Sequence, residues 1–189
     1  MKIYRGTILT LDSRNTIANC LVEDKGRIIY VGDLLPRKYR LGVLETVKKL
    51  GWRPDIIHCY GWAAALAPFY IKQAYYDEPS FRDAKVVMEV SPKEFEKDLG
   101  VENAKFVEYK DAHYADVKEL CSEAYGHTEM EKIGVKFADG VIIENNDVDP
   151  SIIEYAKSLG RPILDPVEGD DFNEIYNAFY RKIAEESNN

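Results

Sequence analysis

A short apolar run joined by one glycine to a longer one restricts the fold of this chain more than any other stretch. Residues 54–62 read PDIIHCYGW and residues 63–71 read AAALAPFYI. A brief run rich in β-branched residues that ends in polar residues and then glycine predicts a parallel strand covered on both faces. The second run is apolar nearly all round, so we expect a buried helix after a tight turn at Gly61.

This predicted strand, turn and helix also indicate where a ligand would bind. In open α/β sheets, ligands lie beyond the carboxyl ends of the strands, often beside a helix N-terminus. His58, Tyr60 and Trp62 stand at that end of the predicted strand. They are therefore the first candidates for a functional site.

Strands and helices alternate along the chain on both sides of this unit. Further strands are predicted at 85–90, 141–143 and 162–165, and helices at 41–50, 129–138, 151–159 and 172–183. Alternation at this spacing favours parallel βαβ connections, and hence an α/β, Rossmann-like three-layer sandwich.

The segment between residues 91 and 128 has weaker patterns. Ser91 and Pro92 are typical of an N-cap followed by the first helical position, so we expect a short helix through Phe95. Residues 105–107 are consistent with a brief strand, and residues 114–125 carry a mixed helical period.

The first 40 residues differ from the rest. Residues 2–11 alternate as a half-buried strand does, and two more strand-like runs, 20–24 and 27–31, flank a short glycine-bearing connection at Lys25 and Gly26. This pattern predicts a small antiparallel β element at 1–40, followed by an α/β domain at 41–189.

Composition excludes several classes of protein. With 189 residues and 46% hydrophobic content, the chain can form a core. A net charge of −8 argues against nucleic-acid binding, which depends on clustered Lys and Arg. The three cysteines form no CxxC pair, as is usual for reduced cytosolic thiols. With neither an N-terminal apolar segment nor a run of about 18 apolar residues, we expect a cytoplasmic protein without a membrane partner.

The N-terminal strands resemble those of amidohydrolase-superfamily enzymes. The match is carried by Gly6, Ile8, Thr10, Asp12 and residues 22–32, which follow that family's strand and hairpin. The family next requires a His-x-His metal pair, whereas His58 is followed here by Cys59 and Tyr60. We therefore expect no metal site and no cofactor. A truncated amidohydrolase, which would bind zinc, is an alternative.

From residue 41 to residue 183 the chain resembles the N-terminal domain of bacterial glycogen synthase, also called starch synthase. Three blocks carry the resemblance: residues 42–68, which include the PDIIHCYGW stretch, residues 137–142, and residues 154–156 together with 176–180. The resemblance implies one half of a two-domain GT-B fold. It also implies transfer of glucose from ADP-glucose to the 4-hydroxyl of an α-1,4-glucan, in a cleft between two Rossmann-like halves.

Several features of that family are not found in this sequence. The donor loop Lys-x-Gly-Gly-Leu is expected before this segment, where the amidohydrolase-like strands stand instead, and the nucleotide-binding C-terminal domain is expected to be missing. The second histidine of the family motif is Tyr60, and the residue after the motif tryptophan, often histidine, is Ala63. The expectation is an incomplete hexosyltransferase domain, inactive alone, whose partner domain acts in trans.

By position in the motif, His58 is the candidate catalytic residue, and Tyr60, Gly61 and Trp62 are the candidate substrate-binding residues for an α-glucan or ADP-glucose. Each also has a structural interpretation. A lone histidine at a strand end is usually a hydrogen-bonded structural residue, and a tryptophan entering a buried helix is usually packing. Cys59 is expected to be an inert core thiol. A non-enzymatic interaction domain that keeps the fold is thus the second hypothesis.

Overall fold

The computed structural model describes residues 2–9, 17–24, 27–32, 42–169 and 172–185. Its contacts divide the chain into two compact units, residues 1–50 and residues 51–189. The boundary between these units falls at 50/51, whereas the sequence pattern changes at 40/41.

The first unit contains three strands and one helix in its described part. Strands β1 (Lys2–Leu9), β2 (Ile17–Asp24) and β3 (Arg27–Gly32) form a sheet in that order, and both neighbouring pairs are antiparallel. Helix α1 (Gly42–Lys49) buries Leu44. It carries basic residues in its last turn, where their positive charge interacts favourably with the negative end of the helix dipole. The predicted connection at residues 25 and 26 lies outside the described residues.

The second unit is built on a parallel sheet of four strands. They are β4 (Ile56–Tyr60), β5 (Lys85–Val90), β6 (Gly140–Ile143) and β7 (Ile163–Leu164), and their order in the sheet follows the chain. The register pairs His58 with Val87 and Met88 with Val141. Every residue of β6, and all but the first of β5, is buried, as expected for central strands of a parallel sheet.

Helices cover both faces of this sheet. The helices are α2 (Gly61–Ala64), α3 (Leu66–Gln73), α4 (His127–Phe137), α5 (Pro150–Ser158) and α6 (Phe172–Glu185). Met88 of β5 lies against Gly134 of α4, whereas its neighbour Val87 packs with Phe179 and Ile183 of α6. Because successive strand residues point to opposite faces, α4 and α6 lie on opposite sides of the sheet. The predicted α/β fold with a parallel sheet is confirmed.

The amino-terminal edge of the sheet is held by Asp139, directly before β6. Its Oδ2 accepts a hydrogen bond from the backbone N–H of Val86 at 2.7 Å and lies 2.7 Å from Lys72 Nζ. Lys72 also donates to the carbonyl of Ala84 at 3.3 Å. One carboxylate therefore joins α3, β5 and β6.

The predicted helix from Ser91 through Phe95 is wrong. Residues 91–100 form no helix, because the backbone N–H and hydroxyl of Ser91 both donate to the carboxylate of Glu131 on α4. A distant partner thus replaces the local capping that the sequence suggested.

The predicted strand at 105–107 is also wrong. A 3₁₀ helix spans Val101–Val107 and a second one Tyr114–Asp116, where a mixed helical period was expected. Gly100, with φ +85°, and the i→i+3 bond from the Asn103 N–H to its carbonyl at 2.9 Å begin the first of them.

Gly134 offers a test of how closely α4 packs on the sheet. A Cβ at this position would lie 2.8 Å from the carbonyl oxygen of Ala65 and 3.0 Å from Met88 Sδ. Alanine gains about 1 kcal/mol of helix propensity over glycine, but a collision with backbone costs about 1–3 kcal/mol. We expect G134A to lower the free energy of unfolding in urea by up to about 2 kcal/mol.

The matched control is G140A. The three atoms nearest to a Cβ on Gly140 would all belong to side chains, at 2.7 Å for Ile183 Cδ1, 3.1 Å for Ile183 Cγ1 and 3.2 Å for Phe179 Cζ, and side chains can shift more easily than backbone. A loss of stability in G140A equal to that in G134A would contradict the role given to the Ala65 backbone.

Candidate functional site

The candidate site lies at the carboxyl ends of β4, β5 and β6. Gly61 forms the turn from β4 into α2 with φ +64°, a conformation that other residues adopt only with strain. A Cβ at Gly61 would lie 3.4 Å from Ser91 Oγ and 3.6 Å from Glu94 Oε1, so the turn packs directly against the loop that follows β5. The sequence-predicted residues 58–62 are all in this β4–α2 unit.

His58 is held from two sides by groups of its own unit. Its Nε2 lies 2.7 Å from Glu89 Oε2, and its Nδ1 lies 2.9 Å from the hydroxyl of Tyr180. Tyr176 donates to the other oxygen of Glu89 at 3.1 Å. With the Nε2–H donating to Glu89 and the Tyr180 hydroxyl donating to Nδ1, both ring nitrogens have protein partners and the ring is fixed.

Tyr60, like His58, is an exposed residue of β4. Tyr60 is 52% exposed, and its hydroxyl donates a hydrogen bond to Glu144 Oε1 at 3.0 Å. Desolvation first, then the hydrogen bond to Glu144 and the charges of Glu144, Glu94 and Glu89, raise the pKa of Tyr60 to about 12. It therefore stays a neutral phenol with one accessible face.

Trp62 is oriented by the loop after β5. Its indole Nε1–H donates to Glu94 Oε2 at 2.7 Å, a charge-assisted hydrogen bond. Phe95 meets the indole edge-on, with ring centroids 5.0 Å apart. Two neighbouring loop residues therefore fix both the polar edge and the face of this half-buried ring.

Beneath the loop lies a buried polar group, Glu131. This side chain has no exposed surface, and it accepts from the Ser91 N–H at 3.1 Å and from the Ser91 hydroxyl at 2.9 Å. Burial raises the pKa of Glu131 to about 8, against the lowering effect of the Ser91 bonds and with a further rise from Glu94 and Glu144. At neutral pH it carries a proton.

His127, at the start of α4, completes this interior. It is 2% exposed, and neither ring nitrogen has a hydrogen-bond partner among the described residues. Its Nε2 lies 3.8 Å from Glu131 Oε1, beyond hydrogen-bond length. Burial is the main cause that lowers the pKa of His127, so the ring is neutral.

Cys59 points away from this chemistry. The residue is 4% exposed, and burial raises the pKa of its thiol to about 12. It cannot supply a thiolate at neutral pH, which confirms the prediction of an inert core thiol.

Sequence reasoning missed the partners of the predicted residues. Glu89 is the one charged residue inside the apolar run of β5 from Val86 to Val90, and Glu144 follows β6 directly, so both carried a signal. Tyr176 and Tyr180 lie far along the chain, and nothing local linked them to His58.

These groups suit a ligand with many hydroxyls. Tyr60 and Trp62 offer aromatic faces of the kind that pack on the C–H side of a sugar ring, and the carboxylates beside them accept hydrogen bonds from hydroxyls. Fold and edge residues together define an α/β domain with a parallel sheet and a cluster of aromatic and carboxylate groups at the carboxyl ends of its strands.

Comparison with known proteins identifies the family. The family model described as the starch synthase catalytic domain matches residues 38–154. The chain belongs to this family. The match includes β4, the Gly61 turn, β5 and β6, and so contains residues 58–62, whereas Tyr176 and Tyr180 lie beyond it.

Curated relatives agree with this assignment over a shorter stretch. A glycogen synthase from Chlorobium phaeovibrioides is 50% identical over 52 residues, which are 28% of this chain and 11% of that protein. A glycogen synthase from Chlorobaculum parvum is 38% identical over 73 residues, 34% of this chain and 15% of that protein. The match thus covers about a tenth of the length of such relatives, and the resemblance to glycogen synthase is confirmed.

A solved structure shares the fold. The catalytic domain of starch synthase IV from Arabidopsis thaliana, bound to ADP and acarbose, aligns with a TM-score of 0.53 at 10% identity. The alignment covers 84% of this chain and 39% of that one.

The resemblance of the N-terminal strands to amidohydrolases stays a prediction.

None of the described helices is both long and apolar enough to cross a membrane.

The buried carboxyl of Glu131 predicts a pH dependence of stability. Its folded pKa of about 8 lies above the ordinary value of 4.5, so the folded state binds this proton more tightly than the unfolded state. Stability is therefore lost as pH rises through this window. We expect E131Q, which cannot ionise, to gain relative stability from about pH 5 to about pH 8, by at most about 1.4 kcal/mol per pH unit.

Urea unfolding of both proteins across this range measures the difference, and titrations that the two proteins share cancel in it. A difference that does not change with pH would show that Glu131 titrates normally.

Proposed function

We propose that this chain is one half of a GT-B glucosyltransferase of the glycogen or starch synthase type, inactive alone and completed by a facing domain in trans. The observation that carries the proposal is the β4–Gly61–Trp62 edge, which lies within the family match and carries aromatic and carboxylate groups. The activity would be transfer of glucose from ADP-glucose to an α-1,4-glucan. The starch synthase IV structure of the same fold was bound to ADP and acarbose.

The site residues have separate roles in this proposal. Trp62 and Tyr60 hold the sugar through their faces, and Gly61, whose φ of +64° disfavours a side chain, forms the turn that places Trp62 after β4. His58, fixed by Glu89 and Tyr180, is the catalytic candidate. In the transfer, the bond from the anomeric carbon to the diphosphate oxygen breaks, the bond to the 4-hydroxyl oxygen forms, and the proton of that hydroxyl passes to the departing ADP.

One set of observations favours the second candidate, a non-enzymatic interaction domain. A tyrosine occupies the position of the second motif histidine, and both nitrogens of His58 are already bonded within the chain. A domain with these properties keeps the fold without the chemistry.

A transfer assay separates the two. Labelled ADP-glucose and glycogen are incubated with this chain alone, and then with the separately expressed C-terminal half of the Chlorobium phaeovibrioides glycogen synthase. We expect no transfer by either protein alone and measurable transfer by the mixture. No transfer by the mixture, together with no retention of the chain on glycogen, would reject the proposal in favour of the interaction domain.

Trp62 is expected to contribute directly to sugar binding. An aromatic platform is worth about 1–1.5 kcal/mol, so W62A should weaken binding of maltoheptaose about tenfold in calorimetry. The matched control is W52F, which alters the other tryptophan, 60% exposed and outside the site, and should leave the affinity unchanged. Equal affinities for wild type and W62A would remove Trp62 from the site.

A further inference from the structure

We propose that Glu131 is a positioning residue for Trp62. It lies under the site on α4 and acts on the indole through the loop that follows β5. That Trp62 holds a sugar rests on the proposed function, but its placement by Glu131 does not.

The first link joins Glu131 to the start of the loop. Both carboxylate oxygens accept from the Ser91 N–H, at 3.1 and 3.3 Å, and Oε1 also accepts from the hydroxyl at 2.9 Å. Ser91 is 1% exposed, so water cannot replace these bonds. The loop is thereby tied to α4 at its first residue, in place of the helix that Ser91 and Pro92 would otherwise begin.

The second link joins the loop to the site. Glu94 accepts from the Trp62 indole N–H at 2.7 Å, and Phe95 packs edge-on against that ring at 5.0 Å. The Gly61 turn is in van der Waals range of the same loop, since a Cβ there would be 3.4 Å from Ser91 Oγ. The position of the Ser91 backbone therefore sets where Glu94 and Phe95 meet the indole.

A buried acid at position 131 is costly, which points to a specific role. The carboxyl carries a proton at neutral pH, and Nε2 of the neutral His127 ring lies 3.8 Å from Oε1, beyond hydrogen-bond length. The charged groups that act on it are Glu94 and Glu144, both acidic. An apolar side chain would remove this cost but would leave the buried Ser91 N–H without an acceptor.

The experiment follows Trp62 by itself. The chain contains two tryptophans, so W52F leaves Trp62 as the sole indole. In that background, acrylamide quenching and the indole ¹⁵N–¹H cross-peak are measured for E131A, E131Q and S91A. We expect E131A to raise the quenching constant about twofold and to shift the cross-peak, because the loop opens locally.

E131Q supplies the rescue. Its amide still accepts from the Ser91 N–H, so quenching and the cross-peak should match those of the W52F parent. S91A, which loses only the hydroxyl bond, should give a smaller change in the same direction as E131A. The matched control is I152A, which truncates a fully buried residue on α5 and should lower stability without changing either Trp62 signal.

Each outcome decides the proposal. A folded E131A with parental Trp62 signals overturns it, and so does an E131Q that behaves like E131A. If E131A does not fold, S91A decides, and parental signals in S91A overturn the proposal. Maltoheptaose binding is measured separately: Trp62 signals that respond without sugar binding would reject the proposed function alone, and the reverse result would reject the positioning alone.

Discussion

Strand β5 is the element on which the described site depends. It lies between β4 and β6, its register sets their positions, and its last five residues are buried. Val87 packs against α6 on one face of the sheet, and Met88 packs against α4 on the other. Because the sheet is fixed in this way, the groups that follow each strand meet at one edge.

Two acidic side chains are buried near the carboxyl ends of the strands, where an ordinary hydrophobic core would contain apolar residues. Glu89 lies inside the central strand at 8% exposure, and Glu131 lies fully buried one layer below. Both are bonded to groups that define the site, Glu89 to His58 and Tyr176, and Glu131 to Ser91. Carboxylates are thus used here to hold loops and rings in place, in the way that the amino edge uses Asp139.

The regular part of the fold was readable from the sequence because its signals are local. Strand β5 coincides with the predicted 85–90, and the period of residues 129–138 gave most of α4. Local signals failed at Ser91, where the partner lies 40 residues away, and in the 3₁₀ segment at Val101–Val107. Residues 58–62 lie at the carboxyl end of β4, as the sequence predicted, but the bond between His58 and Tyr180 spans 122 residues, and no pattern in the sequence could reveal it.

The hydroxyls around His58 have a consequence for affinity. The Tyr180 hydroxyl already occupies the acceptor nitrogen of His58, so a sugar hydroxyl can reach that nitrogen only by displacing a phenol. Such an exchange replaces one neutral hydrogen bond by another, so it contributes little net free energy to ligand binding. Under the proposed function, recognition at this imidazole would therefore be a competition with the protein's own side chain.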